Sequence, residues 1–238
     1  MHSTALCLAL LAACAPAGAR VVQPAASVIA LPPRQEMAKH HMRLHFGDLE
    51  YVEHLLLDGK LADAKEFAFL LTMPETDPRF EAWAPQLDAV ADAARKLQHA
   101  PSVAEALRSA VRVAGACAHC HLDANRPVAL DPPPIPPSEI AVAAVRMQRH
   151  QWATSRLWEG LVVPDDARWT MGLEVLAAAP LSFTPGSASA ALATTLQERA
   201  ASELARGPLG TVEERVTAYG EILVTCAACH ATLLRRAR

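Results

Sequence analysis

Residues 117–121 read Cys-Ala-His-Cys-His, and residues 226–230 read Cys-Ala-Ala-Cys-His. The chain has 238 residues and six cysteines, and four of the six belong to these two copies of one short motif. Each copy closes a unit of about a hundred residues that opens on Met-x-x-His: Met42-Arg43-Leu44-His45 and Met147-Gln148-Arg149-His150. The two opening histidines are 105 positions apart and the two leading cysteines 109 apart, so the units differ by about one helical turn of insertion. The chain is therefore expected to be a tandem repeat.

The stretch between the units, residues 126–138, holds six prolines. Proline lacks a backbone donor and fixes φ, so this stretch reads as a stiff extended linker. Apolar residues make up 52 % of the chain, mostly Ala, Leu and Val, and aromatics only 5 %. That balance favours helices over strands. Each unit parses into four helices. In the first, residues 35–58 carry an apolar stripe at helical spacing (Met42, His45, Phe46, Leu49, Val52, Leu56) and end at the C-cap signal Asp58-Gly59. A second helix spans about 61–71 and breaks at Met73-Pro74. A third opens at Asp77-Pro78 and runs to about Gln98, and Ser102-Val103-Ala104-Glu105 is a capping box for the fourth. The second unit repeats the plan. Its helices are expected from Ser138 to a stop at Gly160, from Pro164-Asp165-Asp166 to near Pro180, after Thr184-Pro185-Gly186-Ser187, and after the capping box Thr211-Val212-Glu213-Glu214. The expected fold is all-α, two tandem antiparallel four-helix bundles joined by a proline-rich linker. The first covers 35–126, the linker 127–137 and the second 138–238.

On a helix, positions i, i+3 and i+4 share a face. Cys117, Cys120 and His121 therefore project together, as do Cys226, Cys229 and His230. This is the arrangement that c-type haem attachment requires: two thiols add to the haem vinyl groups and the adjacent His reaches the iron. Two covalently attached haem c groups consume the four cysteines with none left over. Competing readings explain less. A thioredoxin-like Cys-x-x-Cys wants a βαβ setting, a shared zinc site wants its cysteine pairs far closer together, and two disulfides leave the repeated His unexplained. His119, inside the first motif, has the wrong spacing and reads as an exposed filler.

Four helices with Cys-x-x-Cys-His near the end of the last resemble the class II c-type cytochromes, the cytochrome c-prime group. Met42-Arg43-Leu44-His45-Phe46 is also similar to a Met-x-x-His-Phe stretch in helix one of that group, and the resemblance covers about 34–126 and 138–238. It implies a distal side built from helix one, where the family's own distal position falls at Lys39 and Ala144. From the residues themselves, His45 and His150 are the favoured distal iron ligands and Met42 and Met147 the alternatives, with an open distal side as the third reading. For the methionines the plain role is core packing. His40 and His41 read as a solvated pair. Trp152, Trp158 and Trp169, with Trp83 in the first unit, are expected to pack cores or haem edges.

The N-terminal stretch MHSTALCLALLAACAPAGAR fits a signal peptide over residues 1–19, with residues 20–34 a linker. Leu11-Ala12-Ala13-Cys14 resembles a lipobox, which would make Cys14 the lipidated first residue of a membrane-anchored form; cleavage after Ala17-Gly18-Ala19 is the rival. The expected compartment is the periplasm. A formal charge of −3 without Lys/Arg blocks argues against nucleic acid, and no apolar run reaches bilayer length. The expected function is electron transfer with periplasmic redox partners, as a non-enzymatic carrier, with a homodimer as a further option. The resemblance keeps binding or sensing of nitric oxide or carbon monoxide as the alternative. A dihaem peroxidase or reductase ranks third, because no catalytic constellation accompanies the motifs.

Overall fold

The computed structural model describes residues 34–73, 78–124, 128, 130, 133–136, 143–178, 181, 183–207 and 210–236. The expected signal peptide with Cys14, the linker up to residue 33, Asp77 and the start of helix one in the second unit at Ser138 lie outside these residues. The described residues are all-α, with no strand among them. In chain order the helices are α1 (Arg34–Leu57), α2 (Leu61–Phe67), α3 (Ala84–Gln98), α4 (Val103–Asp123), α5 (Ala143–Val162), α6 (Asp166–Ala178), α7 (Ala188–Arg206) and α8 (Val212–Arg236). Two tighter 3₁₀ turns, Ala68–Thr72 and Pro78–Trp83, extend α2 and lead into α3.

Local chemistry explains the boundaries. Gly59 takes a φ of 77°, and two bonds close the end of α1: Gly59 N–H to the Leu56 carbonyl at 3.0 Å and Lys60 N–H to the Leu55 carbonyl at 2.8 Å. That is a Schellman cap, which satisfies carbonyls the helix itself leaves unpaired. The Thr211 capping box is reciprocal: the Thr211 hydroxyl accepts from Glu214 N–H at 3.2 Å and Glu214 Oε2 accepts from Thr211 N–H at 2.7 Å. At α4 only half of the box forms. Ser102 accepts from Glu105 N–H, while the Glu105 carboxylate pairs with Arg108. Asp165 caps α6 by accepting from Arg168 N–H at 3.0 Å.

Gly160 does not end its helix. α5 continues to Val162, because the first turn of α6 rests directly on that glycine. A Cβ there would sit 2.7 Å from Trp169 N and 3.1 Å from the Asp165 carbonyl oxygen. The glycine serves helix approach rather than termination.

The main departure from two self-contained bundles is the packing between the units. α4 lies along α8, and α1 and α5 each touch both of these helices. Gly115 makes room for the first contact, since a Cβ at that position would meet Val216 Cγ2 at 2.6 Å. One continuous buried cluster runs from Leu49, Val52 and Leu56 of α1 through Leu107 and Val111 of α4 to Leu157 and Trp158 of α5 and Tyr219, Ile222 and Leu223 of α8. α8 has the length and composition of a membrane-crossing helix. Its Tyr219, Ile222 and Leu223 are nonetheless fully buried inside the protein, and Glu213, Glu214 and Glu221 lie along it.

Three described carbonyls of the proline-rich segment accept from the second unit. Trp152 Nε1–H donates to the Pro133 carbonyl at 2.8 Å, Arg149 to the Pro136 carbonyl and Arg168 to the Leu130 carbonyl. Arg215, almost fully buried, ties α8 to the α5–α6 corner through the Gly160 carbonyl at 3.0 Å and through Asp166.

Gly160→Ala should lower unfolding stability by about 1–3 kcal/mol, because its new methyl group collides with backbone that cannot rotate away. Gly47→Ala, on an exposed stretch of α1 with nothing within 4 Å, should instead raise stability by about 0.5–1 kcal/mol. Urea unfolding of the two variants beside the parent checks both signs.

Candidate functional site

The motif residues sit on the last turns of α4 and α8, where the periodicity places them on one face. All four thiols are free; Cys229 is buried and Cys117, Cys120 and Cys226 are half-buried. Desolvation pushes the Cys117 and Cys226 thiols up to about 12. Cys120 and Cys229 are raised as well, again chiefly by burial. Reactive or zinc-binding cysteines need the opposite environment, one that favours thiolate, typically a helix N-terminus or a nearby cation. These sulfurs lie toward helix C-termini in apolar surroundings, which suits a neutral thiol or a thioether. Among the described residues no group of three or more His, Cys, Asp or Glu side chains is placed to hold a metal ion. A haem iron takes only axial ligands from the chain and needs no such cluster.

The two motif histidines each feel the backbone at the end of a helix from the other unit. His230 Nδ1 lies 3.3 Å from the Leu57 carbonyl oxygen. A carbonyl only accepts, so Nδ1 carries the proton and Nε2 keeps its lone pair, the tautomer an axial ligand requires. Burial lowers the His121 pKa, opposed by the Val162 backbone carbonyl, which favours the protonated ring. Its Nδ1 is buried with no hydrogen bond to any described residue. Leu57 stands 12 residues after His45, and Val162 stands 12 after His150. Each motif histidine is thus met by the final turn of helix one from the other unit, at the same position of the repeat.

A cavity of about 450 Å³ opens beside the second motif. That lies within the roughly 300–1,000 Å³ range of small-molecule and cofactor clefts. α8 contributes Cys226, Cys229 and His230 to its wall, and α5 contributes Met147 and His150. All five second-unit candidates therefore share one cavity. His150 is buried and Met147 half-buried. α7 closes one side with Leu192, Ala193 and Leu196, while α1 of the first unit closes another with Glu50, Glu53, His54 and Leu57. Two buried polar atoms of this wall, Glu53 Oε2 and Trp158 Nε1, have no hydrogen-bond partner among the described residues. A cavity with two thiols, one imidazole of the correct tautomer and a second imidazole on another wall fits a haem c group.

The first-unit candidates are arranged differently. Met42 and His45 are half-buried on α1, apart from the cavity beside the second motif. The His45 ring lies 4.2 Å from that of His41, which lies 4.6 Å from Phe80. His41 is therefore no member of a solvated pair. Phe80, buried by the 3₁₀ turn, draws it inward, while His40 stays exposed. Lys39 is exposed. His119 is exposed as expected, and it pairs with Glu213 at 2.9 Å across α4 and α8. Trp152, Trp158 and Trp169 are all buried, and Trp158 packs between Phe46 and Tyr219 at centroid distances of 6.3 and 6.0 Å.

Glu53 and Tyr219 join the site without having been singled out from the sequence. The Tyr219 hydroxyl lies 3.2 Å from Glu53 Oε1 and 3.1 Å from the Thr154 carbonyl oxygen. The hydroxyl donates to both acceptors in a shared bond, so it supports the Glu53 carboxylate only in part. Burial raises Glu53 to about 8, with Tyr219 lowering it and Glu50 raising it further. The signal was present in the chain: an acid interrupts the apolar stripe between Val52 and Leu55.

Glu53 also sets a pH dependence. Below about pH 4.5 the carboxyl is protonated in folded and unfolded chains alike. Above that the unfolded chain ionises while the folded one keeps its proton, so stability falls until the folded carboxyl ionises near pH 8. Glu53→Gln should remove this slope and exceed the parent at pH 8.5 by on the order of a few kcal/mol. Thermal unfolding between pH 4 and 8.5 measures it.

No protein-family model, no curated protein and no solved structure matches this chain.

Proposed function

We propose that this chain is an exported electron-transfer protein carrying two covalent haem c groups on two tandem antiparallel four-helix units joined by the proline-rich segment. The observation that carries the reading is the second cavity, where Cys226, Cys229 and His230 of α8 share one space with His150 and Met147 of α5. The repeat extends the reading to Cys117, Cys120 and His121, with His45 as the matching distal residue and Met42 as its alternative. When bound, haem supplies a one-electron iron couple.

The chain's own residues then have distinct tasks. The four thiols hold the groups covalently, and their apolar setting disfavours competing thiolate chemistry. His230, oriented by the Leu57 carbonyl, offers Nε2. His150 on α5 is the preferred distal residue, because its buried imidazole shares the cavity with Cys226, Cys229 and His230. Two strong axial ligands would exclude small molecules, which suits a carrier more than a gas sensor or a peroxidase. Export, a periplasmic location and a lipid anchor at Cys14 belong to the same reading and rest on the N-terminal pattern.

Expression with a c-type maturation system should yield a chain whose mass increases by two haems, with low-spin spectra in both oxidation states. His150→Ala should convert one of the two haems to a high-spin form that binds carbon monoxide, leaving the other unchanged. Rapid carbon monoxide binding at both haems of the parent would favour the gas-binding alternative. A colourless chain with four free thiols would end the haem reading.

A further inference from the structure

Glu53 belongs to the first unit, but its side chain lines the cavity of the second. It is 6 % exposed, and its Oε2 has no hydrogen-bond partner among the described residues. Its other oxygen accepts from the Tyr219 hydroxyl at 3.2 Å, a bond that hydroxyl shares with the Thr154 carbonyl. Cys226 is near enough to feel its charge. A carboxyl held neutral by burial beside a site whose charge changes by one unit should respond to that change.

We propose that Glu53 is a redox-linked proton site for the second cofactor position, an inference that rests on the haem reading above. As one electron enters that position from a one-electron donor, the Glu53 carboxylate takes a proton from solvent and an O–H bond forms. As the electron leaves to an acceptor, the bond breaks and the proton returns to solvent. The exchange path runs along the cavity wall past half-buried Glu50 to the exposed His54 and Asp58. The corresponding position of the repeat, 105 residues on, is Trp158, so the second unit carries no carboxyl there.

Other titratable groups face the same space. α1 brings Glu50, His54 and Asp58, α5 brings His150, and α8 brings Cys226 and His230, with Tyr219 of α8 bonded to Glu53 behind the wall. α7 adds only apolar side chains to the cavity beyond these. On α4, which also packs on α1, Arg108 is held by Glu105 and Glu221 and Arg112 by Ser109. Burial with a value of about 8 puts Glu53 in the range where a change of charge nearby moves its proton at ordinary pH.

The test is spectroelectrochemical titration of the haem-loaded full chain from pH 6 to 9.5 with redox mediators. The second haem is identified by its absence from the Cys226→Ala/Cys229→Ala variant. Its potential should fall by up to about 59 mV per pH unit, the value for one proton per electron, over a window around pH 8, while the first haem stays nearly flat there. Glu53→Gln should abolish the slope at the second haem alone. Tyr219→Phe removes the bond that favours the ionised carboxyl and should move the window to higher pH; this variant carries the test if the Gln variant does not load. A slope retained in Glu53→Gln, a pH-independent second haem in the parent, or an unmoved window in Tyr219→Phe would overturn the proposal. A chain that loads no haem would overturn the functional reading instead.

Discussion

The packing of α4 along α8 is the constraint on which the rest of the structure depends. It brings the two motif helices together, with α1 and α5 touching both. The end of each helix one then arrives at the motif histidine of the other unit. Leu57 meets His230 through a hydrogen bond, and the Val162 carbonyl acts on His121. A main-chain carbonyl only accepts, so the neutral His230 ring carries its proton on Nδ1.

The cavity takes Cys226, Cys229, His230, Met147 and His150 from the second unit and one wall, including Glu53, from the first. The continuous core and the buried Arg215 tie on α8 make independent motion of the units costly, because close-packed interiors do not deform smoothly. The units are related by repetition but not identical in polarity. At one position of the repeat stand Glu53 and Trp158, both buried and both with an unpaired polar atom at the second cavity.

Much of the helix plan was legible in the residues. Ser102, Ser187 and Thr211 are N-caps, Gly59 closes α1, and Asp165 opens α6, because capping depends on groups only a few residues apart. Gly160 misled, since glycine permits both a helix end and a close helix approach, and only the partner helix tells which applies. His41 misled likewise. Its inward turn depends on Phe80, some forty residues away. The proline-rich segment read as a spacer by composition, yet its carbonyls are taken by Arg149, Trp152 and Arg168 of the second unit.

The chain alone determined the repeat, the all-α character and the clustering of two thiols and an imidazole on one face of each closing helix. These follow from helical periodicity and caps, which act over one or two turns. Only the tertiary structure decided which helix meets which. It joined the units into one core, paired each motif histidine with the other unit's helix one, and turned Glu53 into the second cavity. Those outcomes depend on complementary shape between surfaces far apart in sequence, such as Gly115 under Val216, and no local pattern encodes them.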